Sequence, residues 1–160
     1  MPPTTLVPPI ALIEDDPNDQ YFVCRALDDA GIGNPVIICP SVGHARAQFA
    51  DSATLPQANI PTLFIIDVFL SGRETGIDFL RWLRTQPFPF GATPTMMLTG
   101  SEAPEHRAES LDLGAIHFLR KPASDQLLVQ AVQALGYVMV TPADGRVSRY
   151  IQRVLEPGRP

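Results

Sequence analysis

Five short, almost uninterrupted apolar runs recur along this chain, and four of them end on a polar residue: "PIALIE" (9–14), "PVIIC" (35–39), "TLFIID" (62–67), "TPTMMLT" (93–99) and "AIHFLR" (115–120). Continuous rather than alternating apolar runs belong to strands covered on both faces, as in parallel sheets. Helical periods separate them. After "PIALIE", Asp16 and Pro17 suit an N-cap and a first turn; Val23, Ala26, Leu27 and Ala30 recur at helical spacing, and Gly31 ends the helix. Ser41 can cap a second helix reaching about Ala53, and Ile77, Leu80 and Leu83 mark a third near 75–85. Further helices are expected near 104–113 and over "SDQLLVQAVQALG" (124–136), with a short one over "VSRYIQRVL" in the tail. Strand and helix alternation predicts an α/β domain, a doubly wound five-stranded parallel sheet with helices on both faces. At 160 residues this suits a single domain: an extension over 1–8, the domain over 9–137 and a tail over 138–160.

Several classes of function fall away. A net charge of −5 argues against a generic nucleic-acid binder, and no apolar stretch is long enough to span a bilayer. The opening "MPPTTLVPP" lacks the basic flank and long apolar core of a signal peptide. Cys24 and Cys39 form no metal-binding spacing and read as reduced thiols, which points to the cytoplasm. His44, His106 and His117 are scattered and read as structural or surface residues.

In parallel sheets ligands sit beyond the carboxyl ends of the strands. The first run ends in Glu14, Asp15 and Asp16, the third in Asp67, the fourth in Thr99-Gly100-Ser101 and the fifth in Lys121-Pro122. Carboxylate oxygens suit Mg²⁺, and a lysine with a hydroxyl suits phosphoryl oxygens. Each residue alone has a plain structural alternative: a loop acid, a solvated turn, a helix cap. Lys121 weighs against coincidence, because it is the single lysine beside eleven arginines and it occupies one of these strand ends. An ammonium is not interchangeable with a guanidinium at such a site.

The order "IEDD … IID … LTG … LRKP" resembles the receiver domain of two-component response regulators over about residues 9 to 137. That resemblance implies that Asp67 is the phosphoacceptor and that Glu14 and Asp15 hold Mg²⁺, with the backbone carbonyl of Phe69 as a further ligand. It implies that Thr99 and Lys121 bind the phosphoryl oxygens, that Phe118 is the switch aromatic, and that the Lys121–Pro122 bond is cis. The pair Glu14 and Asp15 is then tolerated because a divalent cation offsets their repulsion, while Asp16 caps the helix. Two departures stand out in "DVFLSGRETG": Ser71 occupies a position where proline is usual, and one extra residue precedes Gly76.

A dehalogenase-type phosphatase would need a second acid two residues after Asp67, where this chain has Phe69, and neither Gly-rich nucleotide-binding motif occurs. The remaining rival is a receiver-like docking module that works without phosphorylation. Some 23 residues follow the last helix, too few for an effector domain, so a stand-alone receiver that signals by protein contact is expected, and not an enzyme in the ordinary sense. "EDDPNDQYFVCRAL" resembles regulators paired with bacterial phytochromes, which implies a sensor histidine kinase of that kind as partner. The last helix carries Leu128, Ala131, Val132 and Leu135 on one stripe, with Leu127, Val129, Ala134 and Val138 outside it. A helix apolar on most sides is buried on most sides. The expectation is a homodimer through this helix and the tail; the alternative is a tail that folds back, through Val147, Tyr150, Ile151 and Val154, within one chain.

Overall fold

The computed structural model describes residues 7–56, 59–100, 103–122, 125–133, 135, 137–140 and 148–151. Strands β1 (Ile10–Ile13), β2 (Val36–Cys39), β3 (Leu63–Asp67), β4 (Thr95–Thr99) and β5 (His117–Arg120) alternate with helices α1 (Pro17–Asp29), α2 (Val42–Gln48), α3 (Gly76–Arg84), α4 (Pro104–Asp112) and α5 (Asp125–Gln133). The five strands pair in parallel in the order β2-β1-β3-β4-β5. This is the flavodoxin-like, doubly wound arrangement expected from the alternation. After β1 the chain crosses to one side for β2 and returns to the other for β3. The order therefore reverses between β1 and β3, and a crevice opens beyond their carboxyl ends.

The period-2 geometry of the strands divides the apolar residues between two cores. Ala11, Ile13, Phe64, Ile66 and Met97 face α2 and α3 and pack with Val42, Ala45, Phe49, Ile77, Leu80 and Leu83. Ile10, Leu12, Leu63, Ile65, Met96 and Leu98 face the other way, onto Val23, Ala26 and Leu27 of α1 and Leu128, Ala131 and Val132 of α5. β1, β3 and β4 are buried on both faces, as their near-continuous runs required, while the edge strands β2 and β5 stay partly exposed.

Local chemistry sets the helix ends. Asp16 accepts from the backbone N–H of Asn18 (2.7 Å) and Asp19 (3.2 Å), Pro17 takes the first helical position, and Gly31 leaves at φ 75°. In α3, Thr75 and Asp78 form a capping box: Asp78 N–H donates to Thr75 Oγ1 (3.2 Å) and Thr75 N–H to Asp78 Oδ2 (2.8 Å).

Three expectations about extent need correction. Helix α2 stops at Gln48, short of Ala53, because Phe49 turns into the core (1 % exposed) and the chain continues through turns closed by Ser52 N–H to Phe49 O and Thr54 N–H to Asp51 O. Helix α5 ends at Gln133. The tail makes strand, not helix, over residues 148–151: β6 (Tyr137–Val140) and β7 (Ser148–Ile151) form an antiparallel pair with Tyr137 opposite Ile151. "YVMV" is rich in β-favouring residues, and cross-strand pairing outweighs the helical period of "VSRYIQRVL". Val138 accordingly lies in β6 and not on the last helix; Val147 and Val154 lie outside the described residues.

Strand β7 returns to its own domain. Ile151 (1 % exposed) joins the core under α1 and α5, and its backbone is gripped by Asn34, which accepts from Ile151 N–H (2.8 Å) and donates to Ile151 O (3.2 Å) and Pro8 O (2.9 Å). No helix among the described residues is long and apolar enough to cross a membrane.

Candidate phosphoryl and metal site

Parallel register puts the acids side by side. Ile13 lies opposite Ile66, so the residues that follow, Glu14 just past β1 and Asp67 at the end of β3, emerge together, with Asp15 one step beyond. Thr99 ends β4, next in the sheet, and its carbonyl accepts from Lys121 N–H (2.7 Å) just past β5. The Lys121–Pro122 bond is cis. From there the Lys121 ammonium reaches back across the sheet edge and donates to Glu14 Oε2 (2.5 Å), Asp19 Oδ2 (2.7 Å) and Asp67 Oδ2 (2.9 Å). Asp67 Oδ1 also accepts from Phe69 N–H (3.2 Å).

Burial makes this concentration of charge consequential. Glu14 is 1 % and Asp67 5 % exposed. Burial pushes the Glu14 carboxyl up to about 7, against the opposing pull of the Lys121 hydrogen bond and with the neighbouring Asp67 charge adding to the rise. Burial alone would lower Lys121, but the hydrogen bonds to Asp19, Glu14 and Asp67 outweigh it and hold the ammonium well above its usual value. Asp15 is held below the ordinary carboxylate range, chiefly by the Ser71 hydroxyl. Both the hydroxyl and the amide (2.9 Å) of Ser71 donate to Asp15 Oδ2.

Glu14, Asp15 and Asp67 each offer an oxygen within 4.8 Å of the other two. Three carboxylate oxygens this close together would hold a hard divalent cation such as Mg²⁺. All donors are hard oxygens, and one of the three acids is fully buried beside another. The residues fit a divalent cation.

The loop after Asp67 is built around that edge. Gly76 N–H donates to Val68 O (2.9 Å), and a Cβ at Gly76 would lie 2.0 Å from Asp67 O, so only glycine lets α3 start this close to the acid. Glu74 in the same loop pairs with Arg46 of α2 (2.7 Å), whose guanidinium lies 5.9 Å from the Trp82 ring centre. The extra residue before Gly76 is thus absorbed in a loop tied down at Ser71, Glu74 and Gly76.

Of the residues singled out in the sequence, Glu14, Asp15, Asp67 and Lys121 come together, and Thr99 (2 % exposed) ends the adjacent strand. Phe118 lies elsewhere: half-buried on β5 opposite Met97, it packs against the core facing α2 and α3. Phe69 is 46 % exposed, its ring edge-on to His106 of α4 (5.2 Å between centres). Ser101 lies outside the described residues. Sequence reasoning missed Asp19, whose partner is 102 positions away, and did not assign Ser71 its hold on Asp15. The one available signal for Asp19 was its place in the first turn of a helix whose cap, Asp16, follows the acidic pair.

Comparison with known proteins bears on the family and the fold. The family model for the response regulator receiver domain matches residues 10–133. The transcriptional regulatory protein HprR of Escherichia coli is 32 % identical over 125 residues, covering 78 % of this chain and 50 % of that protein. The chain spans about half the length of the curated relatives it matches. Among solved structures, the bacteriophytochrome response regulator RtBRR aligns at 25 % identity with a TM-score of 0.71, over 87 % of this chain and 84 % of that one. The bacteriophytochrome response regulator AtBRR aligns at 25 % identity with a TM-score of 0.66, over 81 % and 93 %.

Proposed function

This chain belongs to the response regulator receiver domain family of two-component systems, and from that premise we propose that Asp67 accepts a phosphoryl group from the phosphohistidine of a sensor kinase. The observation that carries the reading is the Lys121 ammonium held against Asp67 at the edge where Glu14, Asp15 and Asp67 converge. An Asp67 oxygen attacks phosphorus, a P–O bond forms, the P–N bond to the donor imidazole breaks, and that nitrogen takes up a proton. Glu14, Asp15, Asp67 and the Phe69 carbonyl would hold Mg²⁺, which would supply positive charge to the phosphoryl oxygens. Lys121 and the Thr99 hydroxyl bind the same oxygens, and Phe118 is the aromatic whose rearrangement carries the signal along β5. The chain catalyses only its own phosphorylation and dephosphorylation. Incubation with acetyl phosphate and Mg²⁺ is expected to add the mass of one phosphoryl group to the intact protein, and EDTA to prevent it. A docking module independent of phosphorylation would show no adduct in either case.

The partner is a sensor histidine kinase of the bacterial phytochrome class; the likeness to RtBRR and AtBRR supports this. Signalling by protein contact is supported by solved neighbours whose own chains are covered over 84–93 % of their length by this chain. The free thiols of Cys24 and Cys39 support a cytoplasmic setting, and the net charge of −5 speaks against nucleic acid as partner.

Access of water governs how long the phosphoryl group survives. Phe69, two residues after the acceptor, sets a bulky ring edge-on to His106, and a ring at this position is proposed to hinder the approach of water. Slow loss of phosphate is expected, and faster loss in Phe69→Asn; equal decay rates in the two proteins would remove Phe69 from the account.

Homodimerisation through α5 and the tail completes the proposal. Leu127 stands 46 % exposed on α5, while Leu128, Ala131 and Val132 are taken by the core, so a two-fold partner has an apolar side chain to cover. A few such residues per subunit, at roughly 1.5–3 kcal/mol each, offset association costs at micromolar concentration. Light scattering at about 100 μM is expected to give the mass of two chains. A single-chain mass would leave the fold-back of Ile151 as the whole role of the tail.

A further inference from the structure

The Lys121 ammonium has three donors, and three carboxylates take them: Glu14, Asp67 and Asp19. Glu14 and Asp67 also belong to the trio that fits a cation; Asp19 does not. Asp19 is more exposed as well, with 38 % of its side chain open to solvent against 1 % for Glu14 and 6 % for Asp67. Its backbone is anchored at the first turn of α1, where its N–H donates to the Asp16 cap (3.2 Å). When Asp67 carries a phosphoryl group, Lys121 must exchange one acceptor for a phosphoryl oxygen. Glu14 and Asp67 remain at the edge beneath the new group. Asp19 alone can be released into water without leaving a buried charge behind, so it is the acceptor that yields.

We propose that Asp19 is a positioning residue for Lys121: it holds the ammonium in the phosphoryl-free protein and competes with the phosphoryl group for it, lowering the affinity of the site for that group. The inference rests on the assignment of Asp67 and Lys121 given above. A purely structural acid at this place would favour the positive end of α1 and would alter thermal stability alone.

Beryllofluoride, a tetrahedral mimic of a phosphoryl group on a carboxylate, separates these roles when titrated with Mg²⁺ into the full chain by calorimetry. Asp19→Ala is expected to bind beryllofluoride about three- to fivefold more tightly than the wild type, as suits loss of one partly exposed ion pair. Mg²⁺ affinity measured alone should not gain. Asp19→Asn serves the same comparison if the alanine variant is poorly folded. Unchanged or weaker beryllofluoride binding in a folded variant would overturn the role of Asp19 while leaving Asp67 as acceptor. Failure of the wild type to bind beryllofluoride at all would overturn both.

Discussion

Asp67→Asn is expected to take up no phosphoryl group from acetyl phosphate under conditions that load the wild type, a loss of at least about 100-fold in rate. The carboxamide keeps the shape of the side chain and one carbonyl oxygen, but it lacks the charge that makes the oxygen a nucleophile. It also takes the negative charge from one of the three carboxylates that suit a cation. A second readout follows. At ten times its dissociation constant Mg²⁺ should stabilise the wild type by about 1.4 kcal/mol, roughly 4 °C in thermal midpoint, and the variant by much less. Scanning calorimetry with and without Mg²⁺ reads this directly. Equal shifts in both proteins would place the cation elsewhere.

The second large effect lies at the opposite edge of the sheet. Arg84, in the last turn of α3, donates to Leu113 O (2.8 Å), Gly91 O (3.0 Å), Thr93 O (2.9 Å), Gly114 O (3.3 Å) and Thr95 Oγ1 (3.3 Å). One guanidinium thus joins α3, the turn before β4 and the turn before β5. Arg84→Met keeps most of the aliphatic stem and removes every donor, leaving four loop carbonyls without this partner. Net hydrogen-bond values of about 1 kcal/mol, reduced because water reaches some of these carbonyls, give an expected loss of about 3 kcal/mol, or about 10 °C. Arg84→Lys should recover only part, since an ammonium cannot fork to five acceptors. Urea denaturation giving a loss below about 1 kcal/mol would show that the carbonyls are as well served by water. Phosphorylation at Asp67 should survive in folded Arg84→Met, because these bonds lie at the amino ends of the strands.

The site was legible in the sequence for a physical reason. Parallel strands bring their carboxyl ends to one edge, so an acid that ends "TLFIID" and the acids that follow "PIALI" had to meet once the strand assignment held. The first helix was equally readable, since cap, proline and terminal glycine are local signals and act locally. What the sequence concealed depends on contacts far apart in the chain. Ser71 meets Asp15 across 56 positions, and Asp19 meets Lys121 across 102. Nothing near Ser71 signals that its hydroxyl grips a candidate metal ligand; substitution for proline reads there as a mere departure. The β6–β7 pair was misread because "VSRYIQRVL" satisfies a helical period as well as a strand, and only its partner decides between them.

Trapping of the acyl phosphate reports directly on the residue that is phosphorylated. An aspartyl phosphate, unlike a phosphoester, is an activated acyl group, and borohydride reduces it to the alcohol of homoserine. Phosphorylated protein treated in this way, digested and sequenced by mass spectrometry should carry homoserine at position 67 in the peptide that contains "TLFIIDVF", with Mg²⁺ present and not with EDTA. Homoserine at any other aspartate, or none in protein that carries a phosphoryl group, would contradict the account.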